Sequence, residues 1–305
     1  MTCAPATITD VVLEAAGEAA ERAAASRRGE RPALVDPAGG LARGDFARAV
    51  PAAAEGLRRH GVRKGDPGVV HVSGVRELAV AVHAVAAAGA VPVLLPAGCG
   101  PDGLAALMNE AGARFLLTGE DTADLSMAAV ERSYVRQVFA FGDVPGATPF
   151  RRLLEPGAAP GGGPPGSLRD TALRVPSPPR DITHADRLAD LDRLSGTLGV
   201  SDGDVLVLCG QDVSARTRMG LVDLCLMRGA TLVGVPGRDA ADLLEAILGQ
   251  RATAAVVTPA KLRAIAFDHG RVAVAGVRLV VTGAPSAEAV RACRARHGWR
   301  VVPLA

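Results

Sequence analysis

At 305 residues with 49% hydrophobic side chains, the chain can bury one large or two ordinary cores, which excludes a disordered polypeptide. Its 34 basic and 32 acidic residues are interleaved and leave a formal net charge of +2, so no footprint for nucleic acid or a membrane surface is expected. The five cysteines, Cys3, Cys99, Cys209, Cys225 and Cys293, form no C-x-x-C pair, which argues against a zinc site or a disulfide framework and fits a reducing cytoplasm.

The first thirty residues carry acids and bases throughout and have no signal-peptide core. The periodicity predicts an amphipathic helix over Thr9 to Arg28, with Thr9 or Asp10 as its cap. A small hairpin is expected from Ala33 to Leu41 around Gly39 and Gly40, then a helix from Gly44 to His60. Strands and helices alternate after that. Strands are expected at Val69 to Ser73, Val91 to Leu95, Arg114 to Thr118 and Tyr134 to Phe141, with helices at Arg76 to Ala88 and Pro101 to Ala111. The uncharged run Leu78 to Pro96 is long enough to span a bilayer, but His83, Gly89 and Pro92 interrupt it, and it reads as a buried helix entering a buried strand. Glu155 to Ser167 holds no apolar residue larger than alanine and reads as a linker or surface loop.

From Thr171 to Leu194 a short apolar run meets a proline-rich loop and then a charged helix. Loops between a buried strand and a helix N-terminus commonly hold phosphate, because free backbone N–H groups and the helix dipole converge there. Here the loop is Pro176, Ser177, Pro178, Pro179 and Arg180, with no glycine. Proline offers no N–H and stops the backbone curling into a cradle, so this is a poor phosphate loop.

The remaining chain predicts helices at Ser214 to Arg228, Ala240 to Gln250, Pro259 to Phe267 and Ser286 to His297, with strands at Thr231 to Val235, Ala254 to Val257, Val277 to Thr282 and Trp299 to Leu304. Ending on a strand, it reads as cut short. A repeat is visible. Gly61 to Asp66 is echoed by Gly199 to Asp204, and Gly89-Ala90, Pro96 and Thr118 by Gly229-Ala230, Pro236 and Thr258 at the same internal spacing. The expected architecture is α/β: two duplicated subdomains with mostly parallel sheets flanked by helices, residues 1–154 and 170–305, joined by a Gly/Pro-rich linker at 155–169, with a cleft between them.

The run GVRKGDPGVVHVSGVRELAVAVHAVAAAGAVPVLLPAGCGPDGLAALMNEAGARFLLT resembles the first subdomain of AMP-forming acyl-CoA synthetases, in the branch that includes coumarate-CoA ligases. ITHADRLADLDRL, RGATLVGVP, AAVVTPAKL and VRLVVTGAPSAEAVRA resemble consecutive blocks of the second subdomain. The resemblance implies the N-terminal domain of an enzyme that joins a carboxylic acid to ATP and passes the acyl adenylate to coenzyme A. It also implies a Ser/Thr/Gly-rich triphosphate loop ending in Pro-Lys-Gly just before Thr183-His184; this sequence has VPSPPRD instead, and the loss removes several charge-assisted hydrogen bonds of roughly 1.5–3 kcal/mol each.

By the same resemblance, Ser214 in GQDVSARTR stands near the usual histidine beside the acyl pocket, and Gly283, Ala284 and Pro285 match the adenine wall with one residue fewer. The block that should follow, Tyr-Gly-x-Thr-Glu, and a C-terminal domain with the catalytic lysine would lie beyond Ala305, and neither Lys64 nor Lys261 occupies such a position.

The candidate cofactor contacts are therefore Gly283, Ala284, Pro285 and Thr183, and the candidate substrate contact is Ser214; no catalytic or metal-ligating residue is identified. Each also has a structural reading. Thr183 with Asp186 spells a capping box with His184 in the first turn, Gly283 and Ala284 suit a tight strand-to-helix turn, and Arg216 and Arg218, which near a helix start could attract an anion, suit a solvated helix face better. His71 and His83 read as satisfied core histidines.

ATP or AMP with magnesium, and coenzyme A, are implied by the resemblance alone. The expected function is an AMP-binding, acyl-CoA synthetase-like protein of the cytoplasm that is catalytically inactive and binds an acyl or adenosine ligand or serves as a scaffold, with no nucleic-acid or membrane partner. The alternatives are an acid-CoA ligase active only when completed by a partner ligase chain, and a gene remnant.

Overall fold

The structure is a computed structural model that describes residues 7–25, 31–96, 98–157, 166–176, 179–210, 212–237, 239–267 and 274–304. In chain order its elements are α1 (Ile8–Ala25), β1 (Leu34–Asp36), β2 (Gly39–Leu41), α2 (Arg43–Arg59), β3 (Pro67–His71), α3 (Val75–Ala87), β4 (Val91–Leu94), α4 (Pro101–Glu110), β5 (Phe115–Gly119), α5 (Ala123–Val130), β6 (Gln137–Phe141) and β7 (Thr148–Pro149). A 3₁₀ turn (Phe150–Leu154) precedes β8 (Thr171–Pro176), β9 (Pro179–Thr183) and α6 (His184–Leu198). Then come β10 (Val205–Cys209), α7 (Ala215–Arg228), β11 (Thr231–Val235), α8 (Ala240–Gly249), β12 (Ala254–Val257), α9 (Pro259–Phe267), β13 (Arg278–Thr282), α10 (Ala287–His297) and β14 (Arg300–Leu304).

The chain divides into two compact units, Met1–Arg22 with Arg43–Ala189, and Ala23–Ala42 with Asp190–Ala305. The sequence reading placed its boundary at 155–169, of which 158–165 lie outside the described residues. What moves the division is strand pairing. Leu34 and Val35 of β1 pair in parallel with Leu232 and Val233 of β11, so an early hairpin completes the later sheet. Likewise β8 lies parallel to β4 and carries β9 with it.

Each unit is built on a seven-stranded sheet, β7-β6-β5-β3-β4-β8-β9 in the first and β14-β13-β12-β10-β11-β1-β2 in the second. The two orders correspond position by position, and in both only the last strand is antiparallel. Central strands such as FLLTG of β5 and AAVV of β12 are buried along their whole length, as expected of parallel strands covered by helices on both faces. In the second unit Trp299, Leu262 and Leu279 belong to one buried core, and the Trp299 Nε1 donates to the carbonyl of Val274 at 2.7 Å. In the first, Leu116, Leu104 and Met108 form the corresponding cluster.

The duplication reaches the turns. Asp66 accepts the Arg63 amide at 2.8 Å and Asp204 accepts the Ser201 amide at 2.8 Å. The carbonyls of the same two aspartates receive the first amides of β4 and β11, from Val91 and Thr231, both at 2.9 Å. Gly65 and Gly203, at φ of 82° and 92°, supply the left-handed residue that each turn needs.

Three local expectations are corrected. The N-terminal hairpin turns at Pro37–Ala38 instead of Gly39–Gly40, because Asp36 Oδ1 accepts the Ala38 amide at 3.1 Å and sets an Asx turn. The cap of α1 is Thr7, not Thr9 or Asp10: Thr7 Oγ1 donates to Asp10 at 2.7 Å and accepts the Asp10 amide at 3.2 Å, a capping box that needs the hydroxyl three residues before the acid. Between β8 and α6 the loop expected from the prolines is instead a hairpin, with β9 paired along β8. No described helix is long and apolar enough to cross a membrane.

Candidate functional site

Parallel sheets of this kind bind ligands outside the carboxyl ends of their strands, where successive connections leave in opposite directions. In the second unit that point lies between β10, which leads to β11 on one side, and β12, reached on the other. The carboxyl ends there place Cys209, Gly210, Asp212, Thr258 and Lys261 together. The Asp212 amide donates to the Cys209 carbonyl at 2.9 Å, and Thr258 Oγ1 accepts the Lys261 amide at 3.2 Å, which starts α9.

From that first turn Lys261 reaches Asp212, Nζ to Oδ2 at 2.8 Å, with both side chains only 9% exposed. Burial works to lower the Lys261 pKa, but hydrogen bonds with Asp212 and the Cys209 thiol outweigh it and the net shift is upward, so the ammonium is kept. The Cys209 thiol is pushed up by burial, against the pull of Lys261. Sequence reading missed this pair, since 49 residues separate its members. The only signal in the sequence was the scarcity of lysine.

Ser214 caps α7: its hydroxyl accepts the Thr217 amide at 3.1 Å. Arg216 Nε donates to Asp190. Arg218 departs from the solvated helix face expected of it: its Nε is buried without a hydrogen-bond partner among the described residues, and burial lowers its pKa. A Cβ on Gly210 would lie 3.0 Å from Arg218 Nη1, so the guanidinium sits against the β10 carboxyl end. The block beside a would-be acyl pocket is thus lined by a shielded cation and an ion pair.

Two strands along from β10, β13 ends in the turn Gly283–Pro285. Thr282 Oγ1 donates to the Val257 carbonyl at 3.3 Å and ties the turn to β12. Gly283, at φ 92°, and Ala284 are exposed, and Ser286 caps α10 by accepting the Ala289 amide at 3.1 Å. These residues and Ser214 therefore belong to one end of one sheet.

Thr183 belongs to the first unit, at the end of β9. Its amide and hydroxyl both donate to Asp186 Oδ2, at 2.9 and 2.8 Å, and its hydroxyl accepts the Asp186 amide at 3.1 Å, which completes a capping box for α6. His184 follows, buried, with Nδ1 accepting the Ile8 amide at 3.3 Å; burial first and Arg187 second depress its pKa to about 4.

The hairpin before Thr183 occupies the place where the resemblance puts a triphosphate loop. Pro176 pairs with Pro179, so only residues 177 and 178 connect the strands, and both lie outside the described residues. The equivalent hairpin of the second sheet, β1–β2, pairs Asp36 with Gly39 and has the same two-residue connection. Within β8–β9, Arg174 grips Asp181 with both arms, Nε to Oδ1 at 2.5 Å and Nη2 to Oδ2 at 2.8 Å. The pairing lowers the Asp181 pKa and raises that of Arg174.

At the carboxyl ends of β3 and β5, His71 Nδ1 lies 2.8 Å from Ser126 Oγ, which lies 2.7 Å from Thr118 Oγ1. His83, fully buried, has Nδ1 3.1 Å from Thr9 Oγ1. Both histidines have polar partners within the core. Among the described residues no group of three or more His, Cys, Asp or Glu side chains is placed to hold a metal ion.

Residues 21–155 match the family model described as AMP-binding enzyme. No curated protein matches the sequence. Among solved structures, a benzoate CoA ligase from Burkholderia xenovorans LB400 superposes with a TM-score of 0.80 at 18% identity, over 97% of this chain and 60% of that one. A long-chain-fatty-acid-CoA ligase from Archaeoglobus fulgidus gives 0.77 at 18% identity, over 96% and 63%. An anthranilate CoA ligase in complex with anthranoyl-AMP gives 0.78 at 16% identity, over 97% and 58%. The chain spans about three fifths of the length of these proteins. Residues 21–155 are therefore similar to the AMP-binding enzyme family, and the described chain shares the fold of acyl-CoA ligases over about three fifths of their length.

Proposed function

We propose that this chain is an adenylate-forming-ligase homologue that does not itself activate acids with ATP and instead uses the inherited fold to bind an acyl or adenosine ligand, or a partner chain. The observation that carries this reading is the β8–β9 hairpin, with a two-residue connection where a glycine-rich anion loop belongs. A triphosphate is held by several converging backbone N–H groups and a cation. Here residue 178 is a proline with no N–H, and the guanidinium of Arg174 within the hairpin is committed to Asp181. The connection matches the β1–β2 turn of the other sheet in length, which supports a hairpin kept for sheet edge geometry. The residues present do not fit the triphosphate of ATP.

What favours a retained ligand role is the β13 turn. Gly283 and Ala284 are exposed beside a strand terminus, as an adenine wall requires, and Thr282 is anchored to β12. Thr183 is assigned to capping and Ser214 to both capping and the rim of the ligand site. The shielded Arg218 and the Lys261–Asp212 pair favour a polar or anionic ligand there over a long apolar acyl chain. Among the described residues Cys99, Cys209, Cys225 and Cys293 form no disulfide, which suits a reducing cytoplasm.

Calorimetry with AMP, ATP, coenzyme A and aryl acids tests the reading. Binding of AMP or an acid, with ATP no tighter than AMP, is the expected result. ATP binding at least tenfold tighter than AMP would show a working triphosphate site and overturn it. The second reading, a ligase active only with a complementary chain, rests on the same preserved β13 turn and predicts acid-dependent pyrophosphate exchange on addition of that chain.

A further inference from the structure

The first unit contains a cavity of about 540 Å³ at the amino ends of its strands. Its walls come from the turn before β3, the end of α3, the turn before β8, and the first turns of α1 and α6. The volume is in the range of small-molecule sites. Three cations line it, Arg58, Arg63 and Lys64, against two carboxylates, Asp10 and Asp170.

Both carboxylates are already engaged. Asp10 accepts the Thr7 amide and hydroxyl at 2.9 and 2.7 Å in the cap of α1. Asp170 accepts the Ser167 amide at 3.1 Å and pairs with Lys64 at 3.0 Å. With Lys64 paired to Asp170, Arg58 and Arg63 face the single charge of Asp10 and leave one positive charge in surplus. Arg58 Nη1 donates to the Ala87 carbonyl at 3.0 Å, while its Nε is buried and has no partner among the described residues. Arg63 is exposed. His184 on the same wall is held neutral by its buried setting and adds no charge. Beside these groups the lining includes small apolar side chains, Val62 and Ala86 to Ala88. Small side chains on a helix end leave room for a flat body.

We infer that this cavity is a binding site for a small organic carboxylate, whose apolar body lies on Val62 and the end of α3 and whose anionic head meets Arg58 and Arg63. Guanidinium is the side chain best matched to a carboxylate, and the half-buried Arg58 and the exposed Arg63 both line the cavity. The site includes neither the connection between Pro176 and Pro179 nor the β13 turn, so its failure and that of the proposed function are separable.

The test is calorimetry of the full chain with 2-naphthoate and, separately, with inorganic phosphate, on the unaltered protein and on Arg63→Glu and Arg58→Gln. Saturable naphthoate binding is expected, tighter than that of phosphate, and weakened about tenfold or more by either substitution. Arg63 is exposed, so R63E should keep its unfolding midpoint and decides the matter even if R58Q does not fold. Absence of saturable naphthoate binding would overturn the assignment. So would phosphate binding more tightly than naphthoate, or naphthoate binding that R63E leaves unchanged.

Discussion

Lys261 Nζ lies 2.8 Å from Asp212 Oδ2, inside a region where neither side chain is more than 9% exposed. A buried ion pair often contributes little beyond an apolar pair of the same size, yet removing one member strands the other charge. Lys261→Met should therefore destabilise the protein by about 3–5 kcal/mol in urea unfolding, while Lys261→Met with Asp212→Leu should recover most of the loss. A single substitution costing under about 1 kcal/mol would mean that Asp212 reaches water.

His184 sets a pH dependence. Its folded pKa is about 4 against an ordinary value of 6.5, because burial and Arg187 disfavour the imidazolium and Nδ1 must stay unprotonated to accept the Ile8 amide. Between those values the unfolded chain holds a proton that the folded one lacks, so stability rises with pH through this window. The contribution is complete above pH 6.5 and is lost as pH falls towards 4, amounting to about 2–3 kcal/mol. His184→Asn, whose Oδ1 can take over the acceptor role, should flatten the stability profile of the full chain between pH 4 and 6.5. An unchanged slope would contradict the assignment.

Thr183 and Ser214 were candidates for ligand contacts, and the geometry assigns both to helix starts. Thr183→Ala and Ser214→Ala should each lower stability by about 1 kcal/mol, the usual worth of an N-cap hydroxyl. Thermal unfolding of each variant without ligand is the check. A midpoint unchanged in T183A would remove the capping interpretation.

Gly56 lies where α2 meets the 3₁₀ turn. An added Cβ would fall 2.2 Å from the Leu153 carbonyl oxygen and 2.5 Å from its Cα, which are backbone atoms and cannot rotate away. Gly56→Ala should cost about 3 kcal/mol or more, although alanine is the better helix former. A stabilised G56A would show that the turn moves freely.

Much of the fold was legible because its strands are long apolar runs. The predicted ranges Thr231 to Val235, Ala254 to Val257 and Pro259 to Phe267 coincide with β11, β12 and α9. The repeat was legible because a turn needing Gly at 65 and 203, and Asp at 66 and 204, leaves a fixed spacing. Strand β9 was not. Pro179, Arg180 and Asp181 are exposed and carry no buried periodicity, and what orders them is pairing with β8, which local sequence does not reveal. The exchange that places β1 beside β11 is likewise invisible, since nearly 200 residues separate Leu34 from Leu232. At the candidate site the turn at Gly283 was readable from its own residues, whereas Lys261–Asp212 depends on two strand ends meeting.

The central claim is that a two-residue connection between Pro176 and Pro179 leaves no triphosphate grip. It is tested most directly by acid-dependent ATP–pyrophosphate exchange with the purified full chain, magnesium, and a panel of aryl and aliphatic acids. The account predicts exchange at background for every acid. Exchange above background with any acid, reduced by substitution of Arg180, would contradict it.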